Sequence, residues 1–163
     1  MDLSSNPIVR AYPIAKVLQR NFSVEVIGLY FGNGLFPAYK DELDYKAIAT
    51  REFTSPFKAM SALYKLVDGE LVYAFKPNLT SFGVGLLAKA LRKRPLLLDI
   101  EDFEIAPLYK TSRDYRLQLR KQFFFMEMLF RNWGDPLALR YQYLMDRLTQ
   151  FADQITVAST FLQ

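Results

Sequence analysis

The chain alternates between two hydrophobic patterns. Apolar residues three or four positions apart predict helices over residues 8–20, 55–67, 81–94, 113–133 and 137–152. Short runs of β-branched and apolar residues predict strands over residues 23–30, 45–49, 70–75, 95–100 and 154–158. Glycine, proline and asparagine interrupt the chain between these elements, as in residues 32–37 and 76–78.

This alternation predicts the fold class. Strands that alternate with helices through short connections are typical of α/β folds. We expect a Rossmann-like, mostly parallel sheet with helices on both faces, in a single domain over residues 1–163. Pro13 lies inside the first predicted helix, so we expect a kink there or a helix start near Tyr12. Ser55 and Pro56 are expected to cap and begin the second helix.

The composition excludes several kinds of chemistry. The 163 residues include neither cysteine nor histidine, which excludes disulfides, thiolate metal sites and histidine ligands to zinc. Acid–base chemistry must therefore use Asp, Glu, Lys or Tyr, and we expect neither a cofactor nor a metal. The net charge of +4 is modest, and the basic residues cluster over residues 89–94 and 113–121 at the spacing of helix faces. We therefore do not expect nucleic acid as a partner.

The same pattern bears on localisation. No apolar run approaches the length of a membrane span, and the first residues lack the basic and apolar regions of a signal peptide. We therefore expect a cytoplasmic protein.

One predicted strand runs directly into a cluster of acids. The apolar residues 95–98 are followed by Asp99, Glu101, Asp102 and Glu104. Ligands gather outside the carboxyl ends of parallel strands, so these acids could hydrogen-bond an acceptor, act as a general base or hold a cation. The alternative is a solvated loop. Because side chains alternate along a strand, residues 99 and 101 face away from residue 102, and Asp102 is the best single candidate for a base.

Two further features have competing interpretations. Arg10 lies near the start of the first helix and could bind a phosphate there, or it could form a surface ion pair. Gly83 and Gly85 form part of a dinucleotide-binding fingerprint, but its third glycine is missing. Close packing of helix against strand is the favoured reason for these glycines, and a nicotinamide-dependent oxidoreductase is disfavoured.

Four segments together resemble the N-terminal domain of family 4 glycosyltransferases of the GT-B type. Residues 6–18 and 23–28 are similar to that family's first helix and second strand. Residues 95–104 are similar to its strand that ends in an acidic or His–Asp element, and residues 152–159 to the strand that closes the domain. The segments follow the family's order and span nearly the whole chain.

The resemblance implies a division of labour. This chain would hold the sugar acceptor, and a C-terminal glycosyltransferase domain or subunit, its expected partner, would supply the nucleotide-sugar site. We assign catalytic roles to Asp102 and Glu101. Roles in binding the acceptor or a phosphate are assigned to Arg10, Asn6, Asp99 and Glu104.

The chain also departs from the family. Ser4, Ser5 and Asn6 stand where glycines are usual, and Glu101 stands where a histidine is frequent. The family's first strand has no counterpart before Met1, and the chain stops soon after its last predicted strand. We therefore expect a domain that is truncated at both ends and inactive alone.

The predicted helix over residues 113–133 combines basic residues with the aromatic run of residues 123–125. It could lie on the inner face of a membrane, or it could pack within the domain or against the partner domain. The alternative to a catalytic role for the whole chain is a Rossmann-like interaction module that binds a partner protein or a membrane surface through this helix.

Overall fold

The structure is a computed structural model and describes residues 2–4, 7–32, 34–101 and 139–157. In these ranges the helices are α1 (Pro7–Leu18), α2 (Pro56–Leu66), α3 (Val84–Arg92) and α4 (Leu139–Arg147). The strands are β1 (Glu25–Tyr30), β2 (Asp44–Ala49), β3 (Val72–Phe75), β4 (Leu96–Ile100) and β5 (Gln154–Val157). A π-helical turn over Leu79–Gly83 leads into α3. The predicted helix over residues 113–133 lies outside the described residues.

Every described pair of strands is parallel, which confirms the predicted α/β class. β1 pairs with β2 in one sheet, and β3, β4 and β5 form a second sheet in that order. Within the described residues the predicted mostly parallel sheet takes the form of two smaller parallel sheets. Within the described ranges, β1 also pairs with the chain near its start, through a parallel bridge between Leu29 and Asp2. The Leu3 N–H donates a hydrogen bond of 2.7 Å to the Leu29 carbonyl there.

The two sheets share their hydrophobic core. Leu3, Ile8 and Ala11 are buried with Val26 of β1, and Phe75 of β3 packs against the same cluster. A second cluster lies beneath α2 and α3 and includes partly buried residues of both sheets. A third cluster lies where α4 meets β3 and β4; its buried members are Ala74, Leu79, Phe82, Leu96, Leu98, Tyr141 and Met145.

The first helix begins within one residue of its predicted range. α1 begins at Pro7, one residue before the predicted helix over residues 8–20, and continues through Pro13, so the alternative start near Tyr12 is wrong. A proline inside a helix removes one hydrogen bond. Here Ile8, Ala11 and Ala15 are buried on one face of α1, and that burial offsets the lost bond. The start at a proline suits the first helical turn, where the N–H has no helical partner.

Two other local predictions have clear outcomes. Pro56 begins α2 directly after Ser55, as expected, but the Ser55 side chain makes no capping hydrogen bond. A Cβ atom added to Gly85 would lie 2.4 Å from Cδ1 of Leu96. The close packing of helix against strand predicted from this glycine is therefore confirmed.

Candidate functional site

The candidate site lies at the carboxyl ends of β3, β4 and β5. In the sheet register Phe75 is opposite Asp99, and Asp99 is opposite Thr156. Residues opposite each other in neighbouring strands project to the same face of the sheet. The first turns of α1 lie over this face and bring Arg10 to Asp99.

Arg10 and Asp99 form a two-point ion pair. Arg10 Nε lies 2.5 Å from Asp99 Oδ2, and Arg10 Nη2 lies 2.9 Å from Asp99 Oδ1. The Asp99 side chain is 2% exposed and the Arg10 side chain 29% exposed. The hydrogen bond to Asp99 raises the pKa of Arg10 above its ordinary value, although partial burial opposes this. The pair therefore fixes a permanently charged guanidinium in one orientation.

Two hydroxyl groups extend this pair across the sheet. Thr156 Oγ1 donates to Asp99 Oδ1 at 2.7 Å, and the Tyr73 hydroxyl lies 3.0 Å from Thr156 Oγ1. Because the Thr156 proton is used on Asp99, Tyr73 donates to Thr156. The carboxylate of Asp99 is thus held by three donors from α1 and β5. Sequence reasoning missed Thr156 and Tyr73, since their proximity depends on the strand register.

The loop after β3 is strained next to this site. Lys76 has a φ of 64°, a left-handed conformation that costs a non-glycine residue about 1–2 kcal/mol. Its N–H donates to the Asp99 carbonyl at 2.8 Å, which extends the pairing of β3 with β4. Asp99 is thus held by a main-chain bond from Lys76 as well as by side-chain bonds. Strained residues such as Lys76 concentrate at functional sites.

An open cleft lies beside Arg10. It has a volume of about 450 Å³ and is lined by Val9, Arg10, Pro13, Ile14 and Glu101. Four of these residues come from adjacent turns of α1, and Glu101 directly follows β4. Since Pro13 has no N–H, it cannot donate the usual helical hydrogen bond to the Val9 carbonyl. The cleft thus combines an apolar wall with one cation and one carboxylate.

The structure brings together three of the six predicted site residues. Asp99 and Glu101 both raise the pKa of Arg10 through their negative charges, as expected for residues 99 and 101 on one face of the strand. Arg10 has the ion pair proposed as its alternative role, but its partner is buried rather than on the surface. Asn6, Asp102 and Glu104 lie outside the described residues, and their roles stay predictions.

Within the described ranges, no group of three or more acidic side chains is arranged to hold a metal ion. None of the helices in those ranges is both long and apolar enough to cross a membrane.

Comparison with known proteins adds no relative. No protein family, curated protein or solved structure matches this chain.

Proposed function

We propose that the chain is the acceptor-side, Rossmann-like half of a glycosyltransferase and that it acts with a C-terminal donor-binding domain or subunit. One observation carries the proposal: Arg10 and Glu101 meet at an open cleft beside the carboxyl ends of parallel strands. Ligands bind at this edge in open α/β sheets. A sugar acceptor needs groups that orient its hydroxyls and a base near one of them, and Arg10 and Glu101 supply both kinds of group.

In the proposed reaction, Glu101 accepts the proton of an acceptor hydroxyl, with Asp102 as the other candidate base. The hydroxyl oxygen forms a bond to the anomeric carbon of the donor sugar as the bond from that carbon to the nucleoside diphosphate breaks. Arg10 binds and orients the acceptor. Asp99 acts through Arg10, since its carboxylate is buried against the guanidinium and Thr156.

Co-expression with donor-binding domains tests this function. The chain would be combined with separately expressed GT-B donor-binding domains and supplied with nucleotide sugars and a panel of glycan and lipid-linked acceptors. Transfer, detected by mass spectrometry of the acceptor, is expected only when both halves are present. Absence of transfer with every partner and donor would contradict a catalytic role. Binding of a partner protein or a membrane surface without transfer would instead support the non-catalytic interaction module.

Variants of the acids then identify the base. A general base typically contributes about 10²–10⁴-fold to the rate, so Glu101→Gln is expected to reduce transfer by about 100-fold or more. Glu70→Gln, on the exposed segment before β3, is the matched control and should retain full activity. If Glu101→Gln retains activity and Asp102→Asn loses it, Asp102 is the base.

A further inference from the structure

We infer that the cleft between α1 and the end of β4 binds a neutral pyranose with two adjacent hydroxyl groups, not a phosphate. The inference rests on the proposed function and names the class of acceptor that this site takes. It concerns Arg10, Glu101 and the apolar wall of Val9, Pro13 and Ile14. Three properties carry it: the donors left on Arg10, the local charge and the apolar wall.

The guanidinium of Arg10 has a second pair of donors. Asp99 occupies the side formed by Nε and Nη2, which uses two of the five N–H donors of an arginine. The other three lie on Nη1 and Nη2, and one from each nitrogen forms a parallel fork. Arg10 lines the cleft, and Asp99 fixes the plane of this fork. Two adjacent hydroxyl oxygens can each accept one hydrogen bond from such a fork.

The local charge favours a neutral ligand. Asp99 already neutralises Arg10 through a buried ion pair. Glu101 also lines the cleft, so the charges of the residues that line the cleft, taken together with Asp99, sum to one negative charge. A phosphate would be repelled by that charge, whereas a hydroxyl group has no net charge to be repelled. This changes the expectation for Arg10 from phosphate binding to hydroxyl binding.

The remaining lining suits a sugar ring. Ligand pockets typically combine mainly apolar walls with a few placed polar groups. Val9, Pro13 and Ile14 offer an apolar surface for the C–H face of a pyranose. Glu101 can accept a hydrogen bond from a ring hydroxyl. Polar groups thus meet the hydroxyl edge of the ring while the apolar residues meet its face.

Nuclear magnetic resonance of the ¹⁵N-labelled full chain can test this inference. The probes are methyl glucoside, methyl mannoside, methyl galactoside, inorganic phosphate and the hydroxyl-free ring tetrahydropyran, each at the same millimolar concentrations. We expect at least one glycoside to shift the Arg10 Nε–H signal and to bind at least tenfold more tightly than phosphate. Tetrahydropyran should leave that signal unshifted. Tighter binding of phosphate than of every glycoside, or no glycoside binding, would overturn the inference.

Two substitutions sharpen the result. Arg10→Lys keeps the charge but loses the fork, so glycoside affinity should fall about tenfold or more. Arg20→Lys, in the exposed turn after α1, should change nothing. Glu101→Gln removes the negative charge, so phosphate affinity should rise. If Arg10→Lys does not fold, as judged by circular dichroism, Glu101→Gln decides alone. Phosphate affinity that does not rise in Glu101→Gln contradicts the charge argument.

The outcome is separable from that of the proposed function. Glycoside binding without sugar transfer would support this inference and contradict the proposed glycosyltransferase function. Transfer to an acceptor phosphate, with no glycoside affinity at Arg10, would do the reverse.

Discussion

The two ends of β4 carry ion pairs of different character. At the carboxyl end, Arg10 binds Asp99 through two hydrogen bonds, and the carboxylate is buried. At the amino end, Lys89 Nζ lies 2.5 Å from Asp153 Oδ1, and both side chains are more than a third exposed. Asp153 also accepts the Leu96 N–H at 2.8 Å. The first pair orients a cleft residue, whereas the second ties α3 and the start of β5 to β4.

Burial decides how much each pair contributes. An exposed pair gains little, because water screens it and its side chains lose freedom. Removing one partner of a buried pair leaves a charge without compensation and is strongly destabilising. The comparison therefore predicts large effects of substitution at the carboxyl end of β4 and small ones at the amino end.

The largest effect is expected for Arg10→Met. It leaves the Asp99 carboxylate buried with Thr156 as its remaining described side-chain donor, and the free energy of unfolding should fall by about 3 kcal/mol. Urea denaturation followed by circular dichroism measures this. Arg20→Met, which replaces an exposed arginine, is the control and should have little effect. Equal stability of the two variants would show that the buried pair contributes nothing beyond an exposed side chain.

A smaller effect is expected for Thr156→Val. The substitution removes the donor to Asp99 and the acceptor for the Tyr73 hydroxyl, and the cost should be about 1–2 kcal/mol. The same denaturation experiment measures it, with Thr54→Val on the exposed segment before α2 as the control. A double-mutant cycle with Arg10→Met should show that the two losses are not additive. Additive losses would mean that Thr156 does not act through Asp99.

The smallest effect is expected at the amino end of β4 and appears in the pH dependence. The hydrogen bond from Lys89, followed by that from the Leu96 N–H, lowers the pKa of Asp153. A lowered pKa stabilises the fold at pH values above the ordinary aspartate value of about 4, and this stabilisation is lost as the pH falls through the lowered pKa. Unfolding measured between neutral and acidic pH should show a slightly shallower loss of stability in Asp153→Asn.

The prediction for Asp153 has a matched control and a result that would contradict it. Asp68→Asn, in the exposed turn after α2, serves as the control. If Asp153→Asn has the same acid profile as the unsubstituted chain, the exposed pair does not contribute to stability.

Sequence patterns predicted the elements better than their assembly. The apolar run before Asp99 predicted β4, and its position at the end of a strand predicted a site there. Arg10 was also a candidate from its place in α1. Their pairing could not be predicted, because the two residues are 89 positions apart and meet only through the way α1 lies over the sheet. Thr156 and Tyr73 join them through strand register, which the hydrophobic pattern does not encode.

The continuation of α1 through Pro13 shows a different limit. Pro13 disfavours a helix locally, yet the burial of Ile8, Ala11 and Ala15 outweighs that preference. The balance depends on what covers the apolar face of α1, namely Leu3 and Val26 among others. Such tertiary contacts are not visible in the spacing of apolar residues along one helix.

The Arg10–Asp99 ion pair also acts as a crosslink between the two sheets. α1 is anchored to the first sheet through Ile8, Ala11 and Val26, while Asp99 belongs to the second sheet. Any sliding of one sheet against the other would stretch the two short bonds of this pair and move the guanidinium in the cleft. The spacing between the sheets is thereby coupled mechanically to the shape of the cleft.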